Sequence, residues 1–207
     1  MKKVMAYLSK EEAKVVKGTL ALIGINAVVF LVLNVFSDLA PYILLDSALD
    51  AVLARPWTLV TVFFSHELLV HLLLNMTLMV VFGLRLEKIT GTKVVVAVYF
   101  VAGFLGALAF PLTDLFLESR PGLIAGASAA AMAITGVYGV LRPNELIFKS
   151  KAKWWVVVLF VTSTGAIFLV PQSLDSGIAH ITGILIGVLA GFLIKQGGNK
   201  QNLMTTA

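Results

Sequence analysis

The sequence predicts an all-α membrane protein built as a bundle of six spanning helices. Composition is the first reason: of 207 residues, 59% are hydrophobic and 13% charged, with a mean hydropathy of +0.97. A soluble domain of this length has too little interior to hide that much apolar surface, whereas lipid covers it. The second reason is that apolar runs of spanning length recur six times. The third is that the basic residues between them fall on alternate sides.

A helix needs about 20 residues, at about 1.5 Å each, to cross about 30 Å of hydrocarbon. The qualifying segments are roughly 18–36, 67–84, 93–113, 123–141, 154–171 and 177–195. Placing the N-terminus in the cytoplasm puts Lys2, Lys3, Lys10, Lys14 and Lys17 inside. Arg85, Lys88 and Lys93 follow there, then Arg142, Lys149, Lys151 and Lys153, and finally Lys195 and Lys200. Only Arg55 and Arg120 fall outside, among Asp38, Asp46, Asp50, Asp114, Glu118 and Asp175. This bias predicts that both termini are cytoplasmic and that the protein crosses the cell membrane several times.

Residues 1–17 are then a cytoplasmic N-terminal segment, 18–195 the membrane domain and 196–207 a cytoplasmic tail. The N-terminus is too mixed in character for a cleaved signal peptide, so the chain reads as mature protein. A net charge of +5 is spread over short loops. It is a topology signal and predicts no nucleic-acid partner. Cysteine is absent, which excludes disulfides and thiol chemistry. The first external loop, 41–57, is apolar but carries Asp46, Asp50 and Arg55 before Trp57. Too short and charged to span, it is expected to lie in the outer interface with Trp57 as anchor.

Polar residues inside the spans carry the chemistry. Ser128 is expected about 9 Å down the fourth segment and His180 about 6 Å down the sixth, both entered from outside. A serine in a span commonly bonds back to the carbonyl one turn earlier, and Ser163 and Thr182 read that way. A histidine in a span marks function. His71 and Asn75, four residues apart in the second segment, share one helical face, with His66 nearer the water boundary. Three imidazoles raise the question of a metal. On one helix His66 and His71 would splay by about 140°, and no acid or thiol accompanies His180, so no metal or other cofactor is expected.

Small residues give Ser128 and His180 a way to meet. The fourth segment is rich in Ala and Gly, and Gly183, Gly187 and Gly191 form a stripe below His180. Such stripes let helix backbones approach closely. A histidine activates a serine by taking its proton. Asn75, His71 and the Ser128 N–H are candidate donors to the oxyanion of an acyl-transfer step. With no acidic orienter in view, the pair reads as a dyad.

Several motifs in order resemble the rhomboid family of intramembrane serine proteases. They are Gly126-Ala127-Ser128-Ala129, then Ala179-His180 with Gly183 and Gly187, and His71 with Asn75 preceded by His66. Gly83, Glu87 and Gly91, and Trp57, complete the set. The resemblance runs from about Trp57 to Gly191. It implies a six-helix rhomboid-like bundle, Ser128 as nucleophile and His180 as general base. It implies His71, Asn75 and the Ser128 N–H around the oxyanion, with Gly126, His66, Met132, Gly183 and Gly187 in support. Substrates would be transmembrane proteins, cut near the outer face and admitted past segment five and the loop at 171–176. Helix-destabilising residues matter because a hydrogen-bonded helix hides its carbonyls.

The sequence departs from the family pattern at Ala129 (commonly Gly), Thr58 (commonly Arg) and Met132 (often Tyr). Methionine fills space but orients an imidazole less firmly. The alternative function is a non-proteolytic relative that binds transmembrane helices. A solute transporter would call for charges or broken helices near the midplane, and the expected spans carry no charge there, Glu67 lying near an end.

Overall fold

The computed structural model describes residues 16–117 and 122–205. Most of the expected N-terminal segment, with Lys2, Lys3, Lys10 and Lys14, lies outside the described residues, as do Glu118 and Arg120. Helix α1 spans Lys17–Val35, and a long loop then folds into α2 (Ala40–Ile43), β1 (Leu45–Asp46), α3 (Leu49–Ala54) and α4 (Thr58–Thr61). Helix α5 (Leu69–Leu78) continues through a π-helical stretch, Met79–Gly83, into α6 (Leu84–Thr90), and α7 covers Thr92–Leu117. Strand β2 (Leu123–Ile124) precedes α8 (Ser128–Leu141). A hairpin of β3 (Leu146–Ile147) and β4 (Ser150–Lys151) leads to α9 (Ala152–Leu169) and α10 (Leu174–Thr205).

Among the described residues, five helical stretches are long and apolar enough to cross a membrane: Lys17–Val35, Leu69–Thr90, Thr92–Leu117, Ala152–Leu169 and Leu174–Gly197. The fourth expected span is different. Helix α8 has 14 residues, about 21 Å of rise against about 30 Å of hydrocarbon. Residues 123–127, expected as its first turns, are not helical because a distant segment claims them. Leu45 pairs with Ile124, and Asp46 with Leu123, in an antiparallel ladder. Gly126 then takes a φ of 148°, a backbone shape that side chains disfavour, while its N–H donates to the Val62 carbonyl at 3.1 Å.

The second helix runs on to Thr90, which carries Glu87 into a span expected to hold no charge besides Glu67. Glu87 is fully buried. Its carboxylate accepts the N–H groups of Gly18 (2.8 Å) and Thr19 (2.7 Å) and the Thr92 hydroxyl (2.5 Å). Those N–H groups open α1, where no intrahelical acceptor exists and a negative charge is favoured. Glu87 therefore fastens the start of α1 to the second helix. Helix α10, for its part, begins three residues earlier than expected. It continues past Lys195 to Thr205, through the segment expected as a tail.

The core is centred on α8, whose residues from Ala129 to Ala131 and from Ala133 to Gly139 are buried. Its backbone touches that of α10 at the glycine stripe. A methyl group at Gly183 would overlap the Ala129 carbonyl, and one at Gly187 the Ala133 carbonyl. From the other side, a methyl at Gly136 would sit 3.1 Å from the Ile184 carbonyl. Buried Asn26 ties α1 into the bundle by donating to the Tyr99 hydroxyl at 2.8 Å, and Tyr99 donates to the Phe63 carbonyl at 2.6 Å. The first loop is ordered: Trp57 Nε1 donates to the Tyr42 carbonyl at 2.9 Å and Thr61 Oγ1 to the Ile43 carbonyl at 2.6 Å.

Two outcomes follow from this packing. Glu87→Ala leaves three donors without their acceptor and is expected to lower unfolding free energy by about 2–4 kcal/mol in detergent titrations. An unchanged unfolding midpoint would count against the fastening role. Gly187→Val drives a branched side chain into the α8 backbone and is expected to cost about 3 kcal/mol, read in the same titration.

Candidate active site

Ser128 is the first residue of α8, not one to two turns down it as expected, and His180 sits six residues after the start of α10. The N-cap position belongs to Ala127, which has no side-chain oxygen. The first N–H groups of α8 are thus not capped by that residue, and the helix dipole presents its positive end there.

A cavity of about 360 Å³ opens at this helix end. Ser128, His180, His71 and Gly126 all line it, with Glu67 and Asp175 also on its wall. Ser128, His71 and His180 are each half-buried. Among the described residues, no hydrogen bond within 3.5 Å joins Ser128 to His180. Gly126 has a steric role as well as a conformational one. A methyl group there would lie 2.7 Å from His71 Cε1, so the His71 ring rests directly on the backbone just before Ser128.

His66 and His71, expected to splay along one helix, instead meet edge to face with ring centroids 5.0 Å apart. The helix begins only at Leu69, so His66 stands on the preceding turn and folds back. It is fully buried. Asn75 Nδ2 donates to its Nε2 at 3.1 Å, and the Ala127 N–H approaches the same nitrogen at 3.5 Å. An Nε2 that accepts requires a neutral ring. Burial, reinforced by the neighbouring His71, pushes the pKa of His66 down to about 4.

Asn75 itself is buried, and its amide also donates to the His71 carbonyl at 3.1 Å. It stands behind the cavity wall, not on it, as does Met132, half-buried one turn below Ser128. The other departures have local partners. The Ala129 methyl fits against Gly106, where a second methyl would overlap it. Buried Thr58 donates to the Arg55 carbonyl at 2.7 Å, closing the turn before α4. Gly183 and Gly187 serve as the contact between α8 and α10 described above.

Three residues at the site escaped the sequence reading. Asp175 is buried at the head of α10 and accepts a hydrogen bond from Thr113 of α7. Val62 accepts the Gly126 N–H together with the Ser65 hydroxyl at 2.8 Å. Ser163, read as bonding its own helix, is buried on α9 with its hydroxyl 3.5 Å from His180 Nδ1. None had a local signal, because each acts across elements.

Comparison with known proteins matches residues 53–197 to the Rhomboid domain. The chain is 34% identical over 140 residues to "RHOMBOID-like protein 6, mitochondrial" of Arabidopsis thaliana, covering 67% of this chain and 43% of that one. It is 30% identical over 149 residues to "Rhomboid-like protease 2" of Toxoplasma gondii, covering 68% and 48% respectively. It is 30% identical over 145 residues to "Putative rhomboid protease YdcA" of Bacillus subtilis (strain 168), covering 68% of each. The chain thus spans less than half the length of the first two. Gly126→Ala, which forces the methyl onto His71, is expected to displace that ring. The expected readout is a shift of the His71 ring resonances in histidine-labelled protein; unchanged resonances would refute the contact.

Proposed function

The chain belongs to the rhomboid family, and we propose that it is a serine endopeptidase that cleaves transmembrane helices of other proteins. The observation that carries this reading is the shared cavity, which gathers Ser128, His180 and His71 at the uncapped start of α8. Multiple apolar helices make it a multi-pass membrane protein. The distribution of Lys and Arg supports cytoplasmic termini, a cell-membrane location and a site facing the extracytoplasmic side.

In the proposed reaction Ser128 Oγ attacks a peptide carbonyl carbon while its proton passes to His180 Nε2. The carbonyl oxygen becomes an oxyanion, met by His71 and by N–H groups at the start of α8. Collapse of that intermediate breaks the C–N bond, and His180 returns the proton to the leaving amine. Water, deprotonated by the same histidine, then releases the acyl group from Ser128. Side chains, backbone and water suffice. The two N–H groups of Asn75 are engaged by His66 Nε2 and the His71 carbonyl, so in the resting arrangement it positions the His66 and His71 pair and reaches the oxyanion only by giving up one of those bonds.

Catalytic hydrogen bonds are often long before substrate binds, and approach of Ser128 to His180 is part of this reading. The unformed bond between them is also the observation that favours the second reading, a non-proteolytic protein that binds transmembrane helices. A purified chain with a single-pass substrate in liposomes separates the two. Ser128→Ala and His180→Ala are each expected to reduce cleavage by at least about 10³-fold. Undiminished cleavage in either variant would sink the dyad, and substrate capture without cleavage by wild type would establish the second reading.

A further inference from the structure

We propose that Ser163 of α9 is the positioning residue for His180, so that the dyad acts with a third member supplied by a neighbouring helix. This rests on the protease reading above. Helix α9 is mostly turned outward; only Ala152 and Ser163 of its residues are buried. Its neighbour Thr162 bonds back to the Val158 carbonyl at 2.8 Å, the ordinary arrangement for a hydroxyl in an apolar helix. Ser163 directs its hydroxyl across the helix boundary to within 3.5 Å of His180 Nδ1.

A second feature holds the two helices at this spacing. Gly177, one turn before His180 on α10, faces α9 so closely that a methyl group would overlap Ile167. The same methyl would lie 3.1 Å from the Ser163 carbonyl. The bare glycine is what lets the Ser163 turn reach the imidazole. Met132, on the other helix beside the dyad, does not line the cavity.

The chemistry follows from the two ring nitrogens. When Nδ1–H donates to Ser163 Oγ, the proton is held at Nδ1 and the Nε2 lone pair is free to receive the Ser128 proton. A hydroxyl fixes the tautomer and the ring plane without adding a charge to the low-dielectric interior. Rotation of the imidazole is thereby restricted by α9, a helix that contributes nothing else to the dyad.

The test compares wild type with Ser163→Ala, Ser163→Thr and Gly177→Ala, measuring kcat and KM on a single-pass substrate and the rate of fluorophosphonate labelling at Ser128. Ser163→Ala is expected to lower kcat and labelling about fivefold to tenfold, the weight of one net hydrogen bond, with KM unchanged. Ser163→Thr, which keeps the hydroxyl, is expected to stay within about twofold of wild type. Gly177→Ala should mimic Ser163→Ala, and the double variant should be no slower than either single one. Wild-type rates in Ser163→Ala, or equal losses in the Ala and Thr variants, overturn the proposal. A wild-type protein that does not label at Ser128 instead overturns the protease reading itself.

Discussion

Everything at the site hangs on how closely the backbones of α8 and α10 meet. Lipid offers no hydrophobic drive for helices to associate, so contact must come from shape and backbone proximity. Gly183 and Gly187 give α10 a smooth face, and the Ala129 and Ala133 carbonyls of α8 occupy it. Gly136 supplies the matching concavity on α8. With α10 on one side and α7 meeting Ala129 at Gly106 on another, a helix too short to cross by itself can sit inside the bundle. Its blunt end becomes the floor of a cavity, and Ser128 lies on that floor.

Electrostatics suit that location. The three histidines do unlike jobs because their surroundings differ. His66 is sealed in and accepts at Nε2, whereas His71 and His180 keep a face on the cavity. Carboxylates are held to defined partners: Glu87 at the opening turn of α1 and Asp175 against Thr113. Each secures a helix end, where free N–H groups or a hydroxyl satisfy the charge. At His180 it is a hydroxyl, that of Ser163 on α9, that comes within 3.5 Å of Nδ1.

What could be read from sequence was whatever repeats along one helix. The stripe of Gly183 and Gly187 below His180, and the pairing of His71 with Asn75, are spacings of four and survive folding unchanged. Partnerships between distant segments were not legible. Ser128 was placed too deep along its helix because the ladder between Leu45 and Ile124 removes the turns expected before it. His66 was put on the wrong element for a similar reason: the helix does not begin until Leu69, so the ring turns back toward His71. Glu87 falls beyond the expected end of the second span at residue 84 because apolar run length cannot reveal that a buried carboxylate has waiting donors. Ser163 reads like any serine in a membrane helix; its burial and its approach to His180 arise only where α9 packs on α10.

The ladder also orders the making of the protein. Leu45 emerges between the first two spanning helices, yet its partner Ile124 follows the whole of α7. While the chain is being threaded into the bilayer, the first loop must wait, its strand edge unpaired, until later helices are inserted. Gly126, held by Val62 from that same early region, waits in turn. The surroundings of Ser128 are therefore assembled late, from segments that are made at different times. A chain arrested after three helices lacks Ser128 altogether.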